Sequence, residues 1–143
     1  MVNQGLLNKF KFALKKEGLK VTPQRIAVLE EVINSDQHRI SEDIYSAIKQ
    51  NKINISRATV YRTLDILVQS GFARKMNLGD GGALYETKVN HPRHDHLICN
   101  ECGDIYEFVN DEIGKIQNQI AEEFGFVLQK HIHQLLGVCK KCQ

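Results

Sequence analysis

The chain has no apolar run near the ~20 residues that a helix needs to cross a bilayer. Its 42% hydrophobic and 25% charged residues are ordinary for a globular protein. No membrane partner is expected. The N-terminus has no signal-type apolar core, because Asn8-Lys9-Phe10-Lys11 interrupts it. A cytoplasmic location follows as the expectation. Cysteine is scarce, with 4 in 143 residues. In a reducing compartment such thiols read as metal ligands before disulfides. No nucleophile motif and no acidic cleft are evident, which leaves hydrolytic chemistry poorly supplied. Net charge is only +2, yet it is uneven. Residues 1–90 carry 14 Lys and Arg against 9 Asp and Glu, whereas residues 91–143 carry 5 against 8. The first part suits a polyanion and the second a metal.

The order of elements sharpens that division. Leu6, Phe10, Ala13 and Leu14 recur at helical spacing over residues 3–17, and Gly18 stops the helix. Thr22-Pro23 opens a second helix as cap and first residue, with Ile26, Leu29 and Ile33 inward. Ser41 is expected to cap a third helix to about Gln50, and Ser56 a fourth to Ser70. An apolar-polar strand from Phe72 to Leu78, a Gly79-Asp80-Gly81-Gly82 turn and a strand from Ala83 to Thr87 compose a hairpin. Helices followed by a hairpin are the layout of a winged helix-turn-helix, whose last helix enters the major groove. With Val60, Leu64 and Leu67 inward, Ala58, Thr59, Arg62 and Asp65 face out and Tyr61 lies on the flank. Arg57, Thr59, Tyr61 and Arg62 are thus the candidate DNA contacts on this helix, through phosphate or base edges. An ordinary solvated helix face is the competing reading.

The chemistry concentrates further on. Cys99-x-x-Cys102 and Cys139-x-x-Cys142 are two matching knuckles that use every cysteine in the chain. Four thiolates close the shell of a zinc ion and leave no position for substrate, so one structural zinc per subunit is expected. Disulfides or a redox pair are the alternative, but no thioredoxin-like pattern surrounds either pair. His94 and His96 share one face of an extended strand and Asp95 the other. With Glu107 they offer nitrogen and oxygen donors suited to Fe²⁺, Zn²⁺, Co²⁺ or Mn²⁺. A helix follows, marked by Ile113, Ile116, Ile120 and Phe124, and Phe126 to Val138 is expected to be a strand. A module of about 50 residues buries little apolar surface alone, so zinc and a second subunit are both expected to complete it. The fold expected is α+β: a winged-helix DNA-binding domain over 1–88, a hinge over 89–93 and a metal-binding α/β dimerisation domain over 94–143.

Four motifs resemble the ferric uptake regulator (Fur) family: Gly18-Leu19-Lys20-Val21-Thr22-Pro23-Gln24-Arg25, Ala58-Thr59-Val60-Tyr61-Arg62-Thr63-Leu64, His94-Asp95-His96-Leu97-Ile98-Cys99-x-x-Cys102-Gly103 and Gly137-x-Cys139-x-x-Cys142. They come in the family's order and span nearly the whole chain. The resemblance implies a homodimeric, metal-responsive repressor that binds A·T-rich palindromic operator DNA, with Fe²⁺ as the regulatory ion and Zn²⁺, Mn²⁺ or Co²⁺ as possible substitutes in vitro. It implies that His38 and Glu86 join His94, His96 and Glu107 around that ion. It also implies that Lys20 enters the minor groove while Tyr61 and Arg62 contact the major groove. Some relatives hold a third metal, whose ligands would fall at Arg93, Asp95, Gly114 and His131. Arginine and glycine cannot ligate, so that site is absent or rebuilt around Asp95 and His131, with His91 or His133 as substitutes. The peroxide-sensing branch uses aspartate where this chain has Glu86 and Glu107, which favours a metal sensor. A zinc, manganese or peroxide sensor is the alternative within the family, and a metallohydrolase the remote one outside it.

Overall fold

The computed structural model describes residues 2–78, 82–90 and 94–143. The expected hairpin turn at Gly79-Asp80-Gly81 and the part of the expected hinge at His91, Pro92 and Arg93, which includes two residues weighed for a third metal, lie outside the described residues. The chain divides into two compact units, Met1–His91 and Pro92–Gln143.

The first unit is four helices and a hairpin: α1 (Gln4–Lys16), α2 (Pro23–Ile33), α3 (Ser41–Gln50), α4 (Arg57–Gln69), β1 (Ala73–Asn77) and β2 (Ala83–Thr87). Local chemistry sets most of the boundaries. Thr22 Oγ1 accepts the Arg25 N–H at 3.3 Å, and Pro23 follows it with φ already helical. Ser56 Oγ accepts the Thr59 N–H at 3.1 Å. At the other end of α4, Gly71 adopts φ +80°, and the Phe72 N–H reaches back to the Leu67 carbonyl at 2.8 Å. That wrap needs a left-handed residue, which glycine supplies without a Cβ clash.

Two expectations are corrected here. Ser41 does not cap α3; it is its first residue, buried at 8% exposure, while Ile40 occupies the cap with no side-chain hydrogen bond. Glu42 and Asp43 in the first turn offset the exposed N–H groups and the helix dipole instead. The inward face of α2 is Ala27, Val28, Leu29 and Val32, with Ile26 and Ile33 only half-buried. Their neighbours decide this, because α2 packs on both α3 and α4 and so needs a wider apolar face than one stripe.

The core of this unit joins Phe10 and Leu14 of α1, Val28 and Leu29 of α2, Ile44 and Ile48 of α3, and Val60, Leu64 and Leu67 of α4, closed by Phe72 and Tyr85. Phe10 and Phe72 meet edge to face at 6.1 Å. Each such side chain contributes about 1.5–3 kcal/mol by leaving water. β1 and β2 pair antiparallel, with Arg74 opposite Glu86. Arg39 and Tyr85 exchange both backbone hydrogen bonds, at 3.0 and 2.7 Å, and so fasten the loop before α3 to β2.

The second unit comprises β3 (Asp95–Cys99), β4 (Ile105–Phe108), α5 (Asp111–Glu123), β5 (Gln134–Gly137) and a single 3-10 turn, Lys140–Cys142. β3 is central, antiparallel to β4 and parallel to β5. The strand expected from Phe126 to Val138 shortens to these four residues of β5. Phe126 and Val127 are 69% and 89% exposed and pair with nothing in the sheet, so only the part in register with β3 becomes a strand. Buried apolar side chains are few among the described residues of this unit: Ile98, Cys99 and Ala121. No helix among the described residues is long and apolar enough to cross a membrane.

Candidate metal centres and DNA-reading face

The sulfur centre is assembled by register. β3 ends on Cys99, which lies opposite Gly137 of parallel β5, so the chain reaches Cys139 two residues later beside the first knuckle. The Cys99–Cys102 loop closes through the Gly103 N–H on the Cys99 carbonyl at 3.0 Å, with Gly103 at φ +76°. One sulfur from each of Cys99, Cys102, Cys139 and Cys142 lies within 4.8 Å of all the others. Cys102 Sγ and Cys139 Sγ are 3.8 Å apart. Four sulfurs at ~2.3 Å from a tetrahedral zinc would stand about 3.8 Å from one another, so the spacing fits that ion and is far too long for a disulfide. Backbone N–H groups, first that of Cys102 and then that of Cys139 at 3.3 Å from the sulfur, bring the Cys99 thiol down to about 6. Its neighbour Cys142 is pushed up to about 12, chiefly by its contacts with the Cys139 and Cys102 thiols. Four crowded thiols cannot ionise together without a cation among them, and that is what a zinc ion supplies. Lys141 Nζ donates to Asp104 Oδ2 at 2.8 Å and ties the second knuckle to the first.

Nitrogen and oxygen donors occur in both units. In the second, His96 sits directly across from Glu107 in the β3–β4 pair. His94 Nε2 is 3.3 Å from Glu107 Oε1, and the two histidine rings meet edge to face at 4.7 Å. Each of these three residues offers a donor atom within 4.8 Å of the other two. Alternation along β3 turns Asp95 to the other face, where it is 3.9 Å from His133 Nδ1. In the first unit, His38 Nε2 lies 2.9 Å from Glu86 Oε2, with both side chains largely shielded from solvent. The Arg39–Tyr85 bridge holds this pair together, since each partner adjoins one member of the pair. Arg74 Nη1 stands 3.8 Å from the other oxygen of Glu86 and has no hydrogen-bond partner. Arg74 was not singled out from the sequence, although its place opposite Glu86 in a hairpin register would have found it. Among the described residues, no group of three or more close donors includes Asp95 or His131. His131 Nδ1 contacts Gln117 Oε1 at 2.7 Å, while Asp95 has His133.

On α4 the outward residues are those that helical phase requires. Tyr61 is 51% exposed, Arg62 and Ala58 are exposed, and Thr59 is half-buried with its hydroxyl 2.9 Å from Ser56 Oγ. Lys20 is exposed on the loop before α2, and its carbonyl accepts Arg25 Nη1 at 2.5 Å. Arg57, the first residue of α4, does not reach out alone: its guanidinium grips Glu42 of α3. Neither Glu42 nor Tyr45, on which Arg57 stacks, carried a signal in the sequence.

A winged-helix unit followed by a sheet unit with a closed sulfur centre and separate histidine–carboxylate donors defines a metal-binding transcription regulator. The profile of the ferric uptake regulator family matches residues 16–135. A ferric uptake regulation protein of Campylobacter jejuni is 44% identical over 139 residues, covering 96% of this chain and 88% of that protein. The structure of the Helicobacter pylori ferric uptake regulator, described as having three functional metal binding sites, superposes with a TM-score of 0.85 at 32% identity, over 100% of this chain and 95% of the other. The Pseudomonas aeruginosa ferric uptake regulator with manganese gives a TM-score of 0.77 at 34% identity, over 91% and 97% of the two chains. The chain belongs to the ferric uptake regulator family.

Proposed function

We propose that this protein is an iron-responsive repressor that binds A·T-rich palindromic DNA as a metal-loaded homodimer in the cytoplasm. Residues 1–88 would read DNA, residues 89–93 act as the hinge, and residues 94–143 hold metal and the second subunit. The observation that carries the reading is a pair of incomplete donor sets: His38 with Glu86 before the hinge, and His94, His96 and Glu107 after it. On this reading the two sets would supply five donors to one divalent ion, which would join both sides of the hinge. The sulfur centre, with Cys99, Cys102, Cys139 and Cys142, would hold a structural zinc in each subunit.

An ion bound on both sides of a joint favours one relative orientation of the groove-reading helices. DNA selects the same orientation through half-site spacing, so ion and operator stabilise one state and each raises the other's affinity. Shifting such an equilibrium from 1:99 to 99:1 takes about 5.5 kcal/mol of differential binding, within reach of a five-donor site. The protein's part is to keep imidazoles and carboxylates close and partly desolvated before the ion arrives. Lys20 would read the minor groove of narrow A·T tracts. Thr59, Tyr61 and Arg62 would face the major groove. Glutamate at both 86 and 107 supports metal sensing over peroxide sensing, and mixed imidazole and carboxylate donors suit Fe²⁺. Homodimerisation is supported by the second unit itself, where Ile116, Ile120, Phe124, Phe126, Ile132 and Leu136 are each more than half exposed. The test is anaerobic gel shift on an A·T-rich palindromic duplex. Retardation should require Fe²⁺ and be lost on adding a chelator; equal retardation with and without metal would refute the switch.

A further inference from the structure

Arg57 begins α4, at the end of the helix that leads into the groove on the reading above, on which this inference rests. Its Nε donates to Glu42 Oε2 at 2.9 Å and its Nη2 to Glu42 Oε1 at 2.7 Å. The guanidinium carbon sits 4.3 Å from the centre of the Tyr45 ring. Glu42 and Tyr45 are three residues apart on α3, so one turn of that helix supplies both the carboxylate fork and the aromatic face. The Arg57 and Glu42 side chains are nevertheless 60% and 46% exposed.

The pair is not needed to hold the helices together. α3 and α4 already share a core through Ile44, Ile48, Val60 and Leu64, and exposed ion pairs add little to folding. A carboxylate beside a DNA-reading helix should repel the duplex, so its position calls for a reason. Carboxylate and phosphate present the same two-oxygen edge to a guanidinium. Glu42 occupies the Nε–Nη2 edge with which Arg57 would grip a phosphate, and it cancels the positive charge that would release counterions from the backbone.

We infer that Glu42 is a built-in competitor for phosphate. It holds Arg57 neutralised and stacked on Tyr45, trims the sequence-independent affinity of the recognition helix, and so widens the gap between operator and bulk DNA. Glu42 is a specificity-setting residue that acts through Arg57 and touches no base itself. The same geometry gives Arg57 a conditional role: it contacts the backbone where a phosphate displaces the carboxylate.

The experiment uses the full-length, metal-loaded protein and fluorescence anisotropy on two labelled duplexes, an A·T-rich palindrome and a scrambled sequence of equal length. Salt is varied between about 50 and 200 mM. Glu42→Gln should bind the scrambled duplex about fivefold to tenfold more tightly at ~0.1 M salt, with a log–log salt slope steeper by about 0.9, the signature of one added phosphate contact. The preference for the palindrome should shrink. Glu42→Gln with Arg57→Gln should lose that gain, because the liberated cation is gone. Thermal melting reads any structural role separately. An unchanged salt slope in Glu42→Gln, or the same gain in the double variant, overturns the inference while wild-type binding leaves the groove-helix reading standing. A wild-type protein with no affinity for either duplex overturns both.

Discussion

Removing the zinc proposed for the sulfur centre tests how the second unit is held. Among the described residues of that unit only Ile98, Cys99 and Ala121 are buried apolar residues, against the large shared core of the first unit. Cys99 is itself one of the proposed ligands, so the ion and the core overlap. A structural zinc contributes roughly 10–16 kcal/mol in small domains, comparable with or larger than the ~5–15 kcal/mol that stabilises a whole domain. Without it, β3 and β5 lose the clamp that joins their ends, and thiols such as Cys142 retain their protons in place of the ion. The perturbation is a strong chelator, with metal analysis to verify that zinc has left. The assay is hydrogen exchange on the full chain. Amides of β3, β4 and β5 should lose nearly all protection, while those of α2 and α4 around Leu29 and Leu64 should keep theirs. Subunit association should fail in the same samples. If zinc-free protein keeps its strand amides protected and stays dimeric, the ion is not structural and the argument from the small core is wrong.

The remaining expectations concern separate parts of the machinery. His96→Ala should abolish metal-stimulated DNA binding and leave zinc content and the dimer intact, as read by gel shift and sedimentation; dissociation would mean the two centres are not independent. Arg62→Ala should weaken duplex binding by about 1–3 kcal/mol without changing regulatory-metal affinity, and an equal shift in a metal titration would remove Arg62 from the DNA face. Zinc affinity should fall as pH drops. Cys142, pushed up to about 12, keeps its proton until metal displaces it, whereas Cys99 at about 6 ionises first. Binding needs thiolates, so each displaced proton costs about tenfold per pH unit below neutrality; a pH-independent competition titration against a chromophoric chelator would contradict this.

Elements whose cause is local were legible from residues alone. Thr22-Pro23, Ser56 and Gly71 mark helix ends because the groups that satisfy the orphan backbone lie within a few residues. The two Cys-x-x-Cys pairs declare a sulfur centre because ligand spacing in a knuckle is itself a local property. His94 and His96 share a face by strand alternation, and the outward face of α4 follows from helical phase. His38 and Glu86 are different: no spacing links them, and only the family resemblance points to them.

What the sequence by itself determined is therefore the periodicity, the caps, the knuckles and the order of helices and hairpin, all set by interactions that close within a turn or a tight loop. Tertiary structure alone decided the rest. Ser41 is buried and left its capping role to a residue without a side-chain acceptor. Only four residues after Phe126 find a partner strand. Arg74 faces Glu86 across a hairpin, and Glu42 holds Arg57 across two helices. Each of these depends on which distant groups compete for one polar atom, and that competition exists only once the chain has packed.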